Sequence, residues 1–147
     1  MPDPRPADTT APVARELVIV TEDPLYGELL RYGFSAQNIH CTITASGAAA
    51  QDVIAQQKPD GVILNIFMAL TDAFKLLHWL QNSGLEIPVL ALTSSEDRAL
   101  TVEVVVAGAK DILVKPLTFA TILESVNALL PQPIAAEESA LNKEPTP

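Results

Sequence analysis

The feature that most constrains the fold is a fivefold alternation of short apolar segments with longer segments of helical periodicity. The run Gly61–Asn65 is continuous and apolar, which is typical of a buried strand, whereas Asp72–Asn82 places Leu76 and Leu80 one helical turn apart. Because a helical segment of about ten or more residues follows each strand, consecutive strands need crossover connections. The alternation therefore predicts an α/β fold with a parallel sheet covered by helices on both faces.

The ends of the predicted elements carry turn and cap signals. Thr71 or Asp72 is expected to cap the third helix and Thr118 the fifth, and Gly108 is expected to end the fourth. We expect the second strand at a sheet edge, and the third to fifth strands, which are nearly all apolar, to be buried on both faces. The predicted strands are Glu16–Val20, His40–Ala45, Gly61–Asn65, Pro88–Thr93 and Asp111–Val114. The predicted helices are Pro24–Ala36, Ala48–Gln57, Asp72–Asn82, Glu96–Ala107 and Thr118–Leu130.

The prolines mark the ends of the domain. Eight of the twelve lie within residues 1–14 or 131–147, which predicts two mobile tails around one domain at 15–130. A hydrophobic content of 48% suits a single globular domain of this length. We expect no output domain after Leu130, so the chain acts by docking or by dimerising, or it is a fragment of a longer protein.

Composition excludes several classes of function. The formal net charge of −9 disfavours a nucleic-acid surface, which needs clustered Lys and Arg. No apolar stretch approaches the ~18–20 residues of a membrane span, and the first fifteen residues lack the apolar block of a signal peptide. Cys41 is the one cysteine, so neither a disulfide framework nor a thiolate-rich metal site forms within the chain. We therefore expect a cytoplasmic protein without a membrane or nucleic-acid partner.

Polar residues follow four of the predicted strands at their carboxyl ends. In open parallel sheets these ends meet at one edge, where ligands and reactive groups gather. The sequence therefore predicts a single polar mouth at this edge. The segments that converge there are Thr21-Glu22-Asp23, Asn65, Thr93-Ser94 and Lys115-Pro116.

Four stretches in this order resemble the receiver domain of two-component response regulators: LVIVTEDPLYGELL, KPDGVILNIFMALTDAFKLL, IPVLALTSSEDRAL and GAKDILVKPL. The resemblance runs from about Leu17 to Leu130. It implies a flavodoxin-like (βα)5 sandwich with strand order 2-1-3-4-5. It also implies a signalling module that acts through protein contacts, rather than an enzyme.

The resemblance assigns roles to the residues that follow the first and third strands. Asn65 falls on the aspartate that accepts a phosphoryl group, and Thr21 and Glu22 fall on the pair of metal-binding acids. Asp23 follows that pair, and Phe67 falls where a backbone carbonyl helps to hold magnesium. Two of the positions that carry a charge in the family are therefore neutral here.

The remaining mouth positions match the family in part. Thr93 falls on the hydroxyl of the switch, and Lys115 falls on the counter-ion of the phosphoryl group, with a cis bond to Pro116 expected. Ile112 falls on the aromatic switch position but is aliphatic. Two loop residues also depart from the family, where a proline and a glycine are common: Ala69 and Ala73.

These departures favour a degenerate pseudo-receiver that lacks the phospho-acceptor. An amide is a poor nucleophile, and magnesium prefers hard, charged oxygen ligands, so we expect magnesium binding to be weak or absent and no other cofactor. One alternative is an atypical receiver that is phosphorylated on another acid of the mouth, such as Asp23. A second alternative is an enzyme on a flavodoxin-like scaffold, but no Gly-rich phosphate loop or nucleophile motif supports it.

Each mouth residue also has a structural interpretation. Lys115 is expected to pair with Glu22 and to hold the fold together. Thr93 is either a satisfied strand-end hydroxyl or a switch, and Asp23 before Pro24 is expected to be a turn or helix-cap residue rather than a metal ligand.

Two regions are candidate protein-contact surfaces. Trp79 either contacts a partner or covers neighbouring apolar surface while half-buried. The fourth predicted helix holds four valines within five positions, which cannot all face one core. Its outer side is therefore expected to dock a protein partner, such as a histidine kinase or another signalling protein, or a second copy in a constitutive homodimer. The valines are Val102, Val104, Val105 and Val106.

Overall fold

The computed structural model describes residues 14–66 and 70–130, and these contain a five-stranded sheet in the order β2-β1-β3-β4-β5. Every pair of neighbouring strands is parallel, so the predicted fold and strand order are confirmed. The strands are β1 (Arg15–Val20), β2 (Ile39–Thr44), β3 (Gly61–Ile66), β4 (Val89–Thr93) and β5 (Asp111–Val114). The helices are α1 (Pro24–Ser35), α2 (Gly47–Gln57), α3 (Leu70–Ser83), α4 (Arg98–Val106) and α5 (Phe119–Leu129).

The sheet separates two hydrophobic cores, because successive side chains of a strand point to opposite faces. On one face, Ile19 of β1 packs in a cluster with Phe34 of α1 and Ile122 of α5. On the other face, Val18 belongs to a cluster that includes residues of α2, α3 and α4, among them Val104. Helices thus cover both faces of the sheet, as the alternating pattern predicts.

The two edge strands differ from the central ones in burial. β3 and β4 are buried along their whole length, as predicted. β2 lies at one edge, also as predicted. The expectation that β5 is buried on both sides is wrong, because β5 forms the other edge of the sheet and exposes Asp111 and Val114.

The helix starts correct the sequence prediction at two places. α3 begins at Leu70, so Thr71 and Asp72 lie inside its first turn and neither is its N-cap. α4 begins at Arg98, two residues later than expected, because the Asp97 side chain caps it by accepting a hydrogen bond from the Ala99 backbone. A short polar side chain before the first helical residue is the general requirement of an N-cap, and Asp97 satisfies it.

The other predicted caps are close to their expected positions. Thr118 caps α5 by accepting a hydrogen bond from the Thr121 N–H at 3.2 Å, as predicted. Ala107 is the C-cap of α4, and Gly108 is the residue after it. Gly108 has a φ of +132°, a region that favours glycine, which explains why the helix ends there.

Some predictions concern residues outside the described ranges. These are the tails at 1–14 and 131–147, apart from Ala14, and the loop positions Phe67 and Ala69. Within 14–66 and 70–130, no helix has the length and apolar character that crossing a membrane requires. The predicted cytoplasmic location stays a prediction.

Candidate functional site

The candidate site lies where β1, β3 and β4 reach their carboxyl ends. Thr21, Asn65 and Thr93 occupy these ends with only 3%, 7% and 2% of their surface exposed. The parallel register aligns Asn65 of β3 with Leu92 of β4, one residue before Thr93. The structure thus places Thr21, Asn65 and Thr93 at one mouth, as predicted, and buries all three.

Asn65 and Thr21 form a direct hydrogen bond across the mouth. The Asn65 Nδ2 amide donates to Thr21 Oγ1 at 2.9 Å, and the Asp23 backbone N–H donates to the same oxygen at 3.1 Å. A hydroxyl oxygen has two lone pairs, and both are used here. The two positions that would carry carboxylates by resemblance therefore hold a neutral hydrogen-bonded pair.

The other oxygen of the Asn65 amide, Oδ1, is buried and has no hydrogen-bond partner among the described residues. A small cavity of about 30 Å³ adjoins it and is lined in part by Thr21, Ser46 and Asp72. This volume suits about one water molecule rather than a substrate. The cavity therefore gives no support to the alternative that the mouth is an enzyme active site.

The two acids after Thr21 have different surroundings. Asp23 is the N-cap of α1, because its Oδ1 accepts hydrogen bonds from the Leu25 and Tyr26 backbone N–H groups at 3.1 and 3.2 Å. The interpretation of Asp23 as a helix cap is thus confirmed. Glu22 is exposed at the rim of the mouth and lines the same small cavity.

The arrangement of these residues does not fit a magnesium ion. Such a site needs several oxygen ligands, ideally charged, that point to one place. Here Thr21 Oγ1 already accepts two hydrogen bonds, Asn65 turns its N–H toward Thr21, and Asp23 caps a helix. Glu22 alone remains as an uncommitted carboxylate on this side, and no group of three potential metal ligands occurs among the described residues.

The β4–β5 side of the mouth keeps the residue types of the family. Thr93 Oγ1 accepts a hydrogen bond from the Ser95 backbone N–H at 3.0 Å, and its role as a switch stays a prediction. The peptide bond between Lys115 and Pro116 is cis, which confirms the expectation from the resemblance. Ile112, at the position of the aromatic switch, is partly buried and packs against the core on the α4 side.

The expected pairing of Lys115 with Glu22 is wrong. The Lys115 ammonium lies 4.6 Å from the centre of the Tyr26 ring, over its face, and forms no ion pair with Glu22. Burial lowers the pKa of Lys115 below 10.5, while the Asp23 carboxylate acts in the opposite direction. Lys115 thus contacts an aromatic face rather than the carboxylate that was expected.

The predicted contact surfaces are largely where the sequence placed them. Val102, Val105 and Val106 expose 59%, 43% and 74% of their surface on α4, whereas Val104 is buried. Trp79 is half-buried and packs against the core. This supports the interpretation that Trp79 covers neighbouring apolar surface, rather than the one in which it contacts a partner. The exposed face of α4 is therefore the clearer candidate for a protein contact.

Two features escaped the sequence reasoning. The contact of Lys115 with Tyr26 joins residues that are far apart in the sequence, and no local pattern predicts it. The outer face of α1 exposes three large apolar residues, and the helical spacing seen in the sequence did not by itself show which side of the helix is buried. They are Leu25, Leu29 and Tyr32.

Comparison with known proteins agrees with this fold. A family model described as response regulator receiver domain matches residues 17–127. The chain belongs to the response regulator receiver domain family.

Two curated relatives share about three tenths of their aligned residues with this chain. Response regulator MprA of Mycobacterium sp. (strain KMS) is 31% identical over 114 residues, which cover 78% of this chain and 50% of the relative. Response regulator MprA of Mycolicibacterium vanbaalenii is 30% identical over 129 residues, which cover 85% and 56%. The chain therefore spans about half the length of the curated relatives it matches.

Solved receiver domains superpose well. The BeF3-activated N-terminal receiver domain of Klebsiella pneumoniae RstA is 27% identical with a TM-score of 0.73, covering 80% of this chain and all of that one. The receiver domain of a signal transduction histidine kinase from Syntrophus aciditrophicus is 28% identical with a TM-score of 0.72, covering 80% and 90%. These likenesses confirm the receiver fold.

Proposed function

We propose that this chain is a pseudo-receiver, a non-enzymatic signalling module that acts through protein contacts without being phosphorylated. The observation that carries the proposal is the buried Asn65 amide at the position of the phospho-acceptor, hydrogen-bonded to Thr21. Both side chains are neutral, and the Asn65 amide donates a hydrogen bond to the Thr21 hydroxyl oxygen. The pair therefore stabilises the mouth in the absence of a phosphoryl group or a metal ion.

The chemistry of phosphoryl transfer explains why this pair stops the reaction. Transfer to a side chain needs a nucleophile in line with the leaving group, and a metal ion to neutralise the developing charge. The nitrogen of the Asn65 amide is not nucleophilic, and Thr21 supplies no charge for a metal ion. Magnesium binding is accordingly proposed to be weak or absent.

The main alternative is phosphorylation of another acid of the mouth. Asp23 is the acid expected for this role, but its carboxylate caps α1 through two backbone N–H groups. Phosphorylating it would replace these hydrogen bonds and expose the first turn of the helix. This cost favours the pseudo-receiver over an atypical receiver.

The experiment is incubation with acetyl phosphate and magnesium, followed by intact-protein mass spectrometry. The RstA receiver domain, which takes up the phosphoryl mimic BeF3, is the positive control. We expect the control to gain one phosphoryl group and this chain to gain none. A phosphorylated acid in this chain, located by peptide mapping, would instead establish the atypical receiver.

The partner is proposed to be a protein, such as a histidine kinase or another signalling protein. Support comes from the exposed valines of α4 and from the net charge of −9, which disfavours nucleic acid. The same face could instead join two copies. Capture of partners by wild type and by Val106→Lys, with Trp79→Ala as a second variant, tests the face. We expect Val106→Lys to capture no partner. Trp79→Ala should reduce capture less, because the Trp79 ring packs mostly against the core.

A further inference from the structure

A large groove lies beside the amino end of β4, at the opposite end of the sheet from the mouth. Its volume is about 560 Å³, compared with about 30 Å³ for the cavity at the mouth. The end of α3, the segment between α3 and β4, the turn before β5 and the last residue of α5 form its walls. We call it the β4 groove. Its apolar lining includes Leu77, Leu80, Leu85, Ile87, Val89 and Leu129.

The groove is suited to an apolar segment of chain. Leu85 and Ile87 pack against the core but are only partly buried, so some of their apolar surface remains to be covered. Two charged residues, Glu86 and Lys110, also line the groove, and their opposite signs balance. A volume of this size lies in the range of ligand pockets, and covering apolar surface is favourable. The lining therefore selects an occupant by apolar contact rather than by charge.

The course of α5 brings one segment of this chain to the groove. Leu129 ends the helix and lines the groove, and Leu130, the C-cap, has an extended backbone with φ −79° and ψ 151°. The chain therefore continues into residues 131–147 directly from the wall of the groove. Ile134 is the first large apolar residue of that segment. It is four residues beyond Leu130, a span of at most about 13–14 Å, so it stays within reach of the groove.

Other occupants are less favoured by position and by sequence. No residue of β1 lines the groove, and the large apolar residues of the segment before β1 are only Met1 and Val13. A segment tethered at the wall has an effective concentration on the order of millimolar, whereas a second copy has to reach the groove from solution. Pro131 and Pro133 also fix φ in the tether, which lowers the conformational entropy lost on binding.

We propose that residues 131–136 of this chain bind in its own β4 groove, with the Ile134 side chain as the anchor. The composition of this segment predicts a mobile tail, and the groove provides it with a binding site on the domain. The inference does not depend on the chemistry of the mouth, which lies at the other end of the sheet.

The first test compares methyl NMR spectra of the 147-residue chain and of Ile134→Asp. We expect the methyl signals of Leu85 and Ile87 to move in this variant, because the anchor leaves the groove. Ala140→Asp is the matched control, since it adds the same charge further along the segment, and these signals should not move. The methyl signals of Ile19, on the other face of the sheet, check that the fold is unchanged. Signals of Leu85 and Ile87 that are unaffected by Ile134→Asp, or equally affected by Ala140→Asp, would overturn the proposal.

The second test places a nitroxide spin label on Ala136→Cys, two residues beyond the anchor. The native thiol of Cys41 is buried, and burial raises its pKa to about 12, so the label reacts at the introduced cysteine. We expect the label to broaden the methyl signals of Leu85 and Ile87, and we expect the broadening to disappear when Ile134→Asp is added. Absence of broadening in the labelled chain would contradict the binding of residues 131–136 in the groove.

A mixing experiment identifies the source of the bound segment. A spin-labelled chain without isotopes is mixed with an isotope-labelled chain that carries no spin label, so that broadening then reports only contacts between copies. We expect no broadening in the mixture at about 50 μM, well below the millimolar effective concentration of the tethered segment. Broadening in the mixture as strong as within one chain would assign the groove to the segment of a second copy and overturn the proposal.

Discussion

The two halves of the mouth differ in what they have kept. On the β4–β5 side, Thr93 and Lys115 retain the residue types of the receiver family and the cis bond that follows Lys115. On the β1–β3 side, Asn65 and Thr21 form a neutral hydrogen-bonded pair at two positions where the resemblance places acids. The two halves therefore differ in how closely their residue types match those that the resemblance implies.

The difference shows that the changes on the β1–β3 side compensate each other. A lone carboxylate at position 65 would be buried beside an oxygen that already accepts hydrogen bonds, and a lone carboxylate at position 21 would face a neutral amide. Burying a charge without a partner is costly, whereas a neutral hydrogen-bonded pair costs less, even with the Asn65 Oδ1 left without a partner among the described residues. The two residues therefore have to be changed together. We expect each single change to give a less stable protein than either the present neutral pair or the pair of acids.

The largest expected effect is gain of phosphorylation in a double variant. Thr21→Asp combined with Asn65→Asp restores both the acceptor and a metal-binding acid, beside the retained Thr93 and Lys115. We expect it to take up a phosphoryl group from acetyl phosphate in a magnesium-dependent way, measured by mass spectrometry. Asn65→Asp alone should react about 10- to 100-fold more slowly, a barrier difference of about 1.4–2.8 kcal/mol.

The matched control for this comparison is Thr21→Asn combined with Asn65→Asp, which has the acceptor and a polar side chain of the same size but no second carboxylate. It should behave like the single variant. Equal rates in Asn65→Asp and the double variant would mean that Thr21 does not limit the chemistry and that the two changes are independent.

The next effect is a pH-dependent loss of stability in Asn65→Asp. Burial should raise the pKa of the introduced carboxyl above its usual ~3.9. A raised pKa means that the folded protein binds more protons than the unfolded one, so stability relative to wild type is best at acid pH and falls as pH rises through the folded pKa. At neutral pH we expect a loss of about 1–3 kcal/mol, measured by urea denaturation. A loss that is the same at pH 4 and pH 7 would contradict the burial argument.

A smaller effect is expected from removing the Thr21 hydroxyl alone. Thr21→Val keeps the shape of the side chain but leaves the Asn65 amide and the Asp23 backbone N–H without their shared acceptor. We expect destabilisation of about 1–2 kcal/mol in chemical denaturation. Thr21→Ser, which keeps the oxygen, is the control and should lose less, because only a methyl contact near Gly27 is removed. If Thr21→Val is as stable as wild type, the hydrogen bond between Thr21 and Asn65 does not stabilise the packing of β1 against β3.

Sequence reasoning found the scaffold because periodicity and strand-end polarity are local signals. The alternation of strands and helices predicted five parallel strands, and it failed at β5 because an apolar four-residue strand has the same appearance at an edge as in the centre. The helix caps at Asp23 and Thr118 were found from single residues, since a cap is a local hydrogen bond. The α3 cap was misplaced because Asp72 accepts instead from the Gly47 backbone on another helix.

The interior of the mouth was less predictable. The sequence identified Asn65 and Thr21 as departures from the family. It did not show that their side chains form a hydrogen bond, because that depends on the register of β1 and β3. Lys115 was placed at the mouth but paired with the wrong residue. A flexible lysine side chain can reach several partners. Which one it contacts depends on the position of a residue far away in the sequence, in this case Tyr26.

The smallest expected effect therefore concerns Lys115 on the retained side. Burial lowers its pKa below 10.5, so between the folded pKa and 10.5 the unfolded chain binds more protons, and stability rises with pH across that window. Lys115→Met has no such group, so the stability of wild type relative to this variant should increase with pH toward 10.5. The change should be small because Lys115 is only partly buried. Asp23→Asn, which can still cap α1, removes the carboxylate that opposes the shift and should widen the window. Urea denaturation at several alkaline pH values measures both effects. A difference between wild type and Lys115→Met that stays flat or falls with pH would mean that burial does not destabilise the Lys115 ammonium at the mouth, and would contradict the lowered pKa.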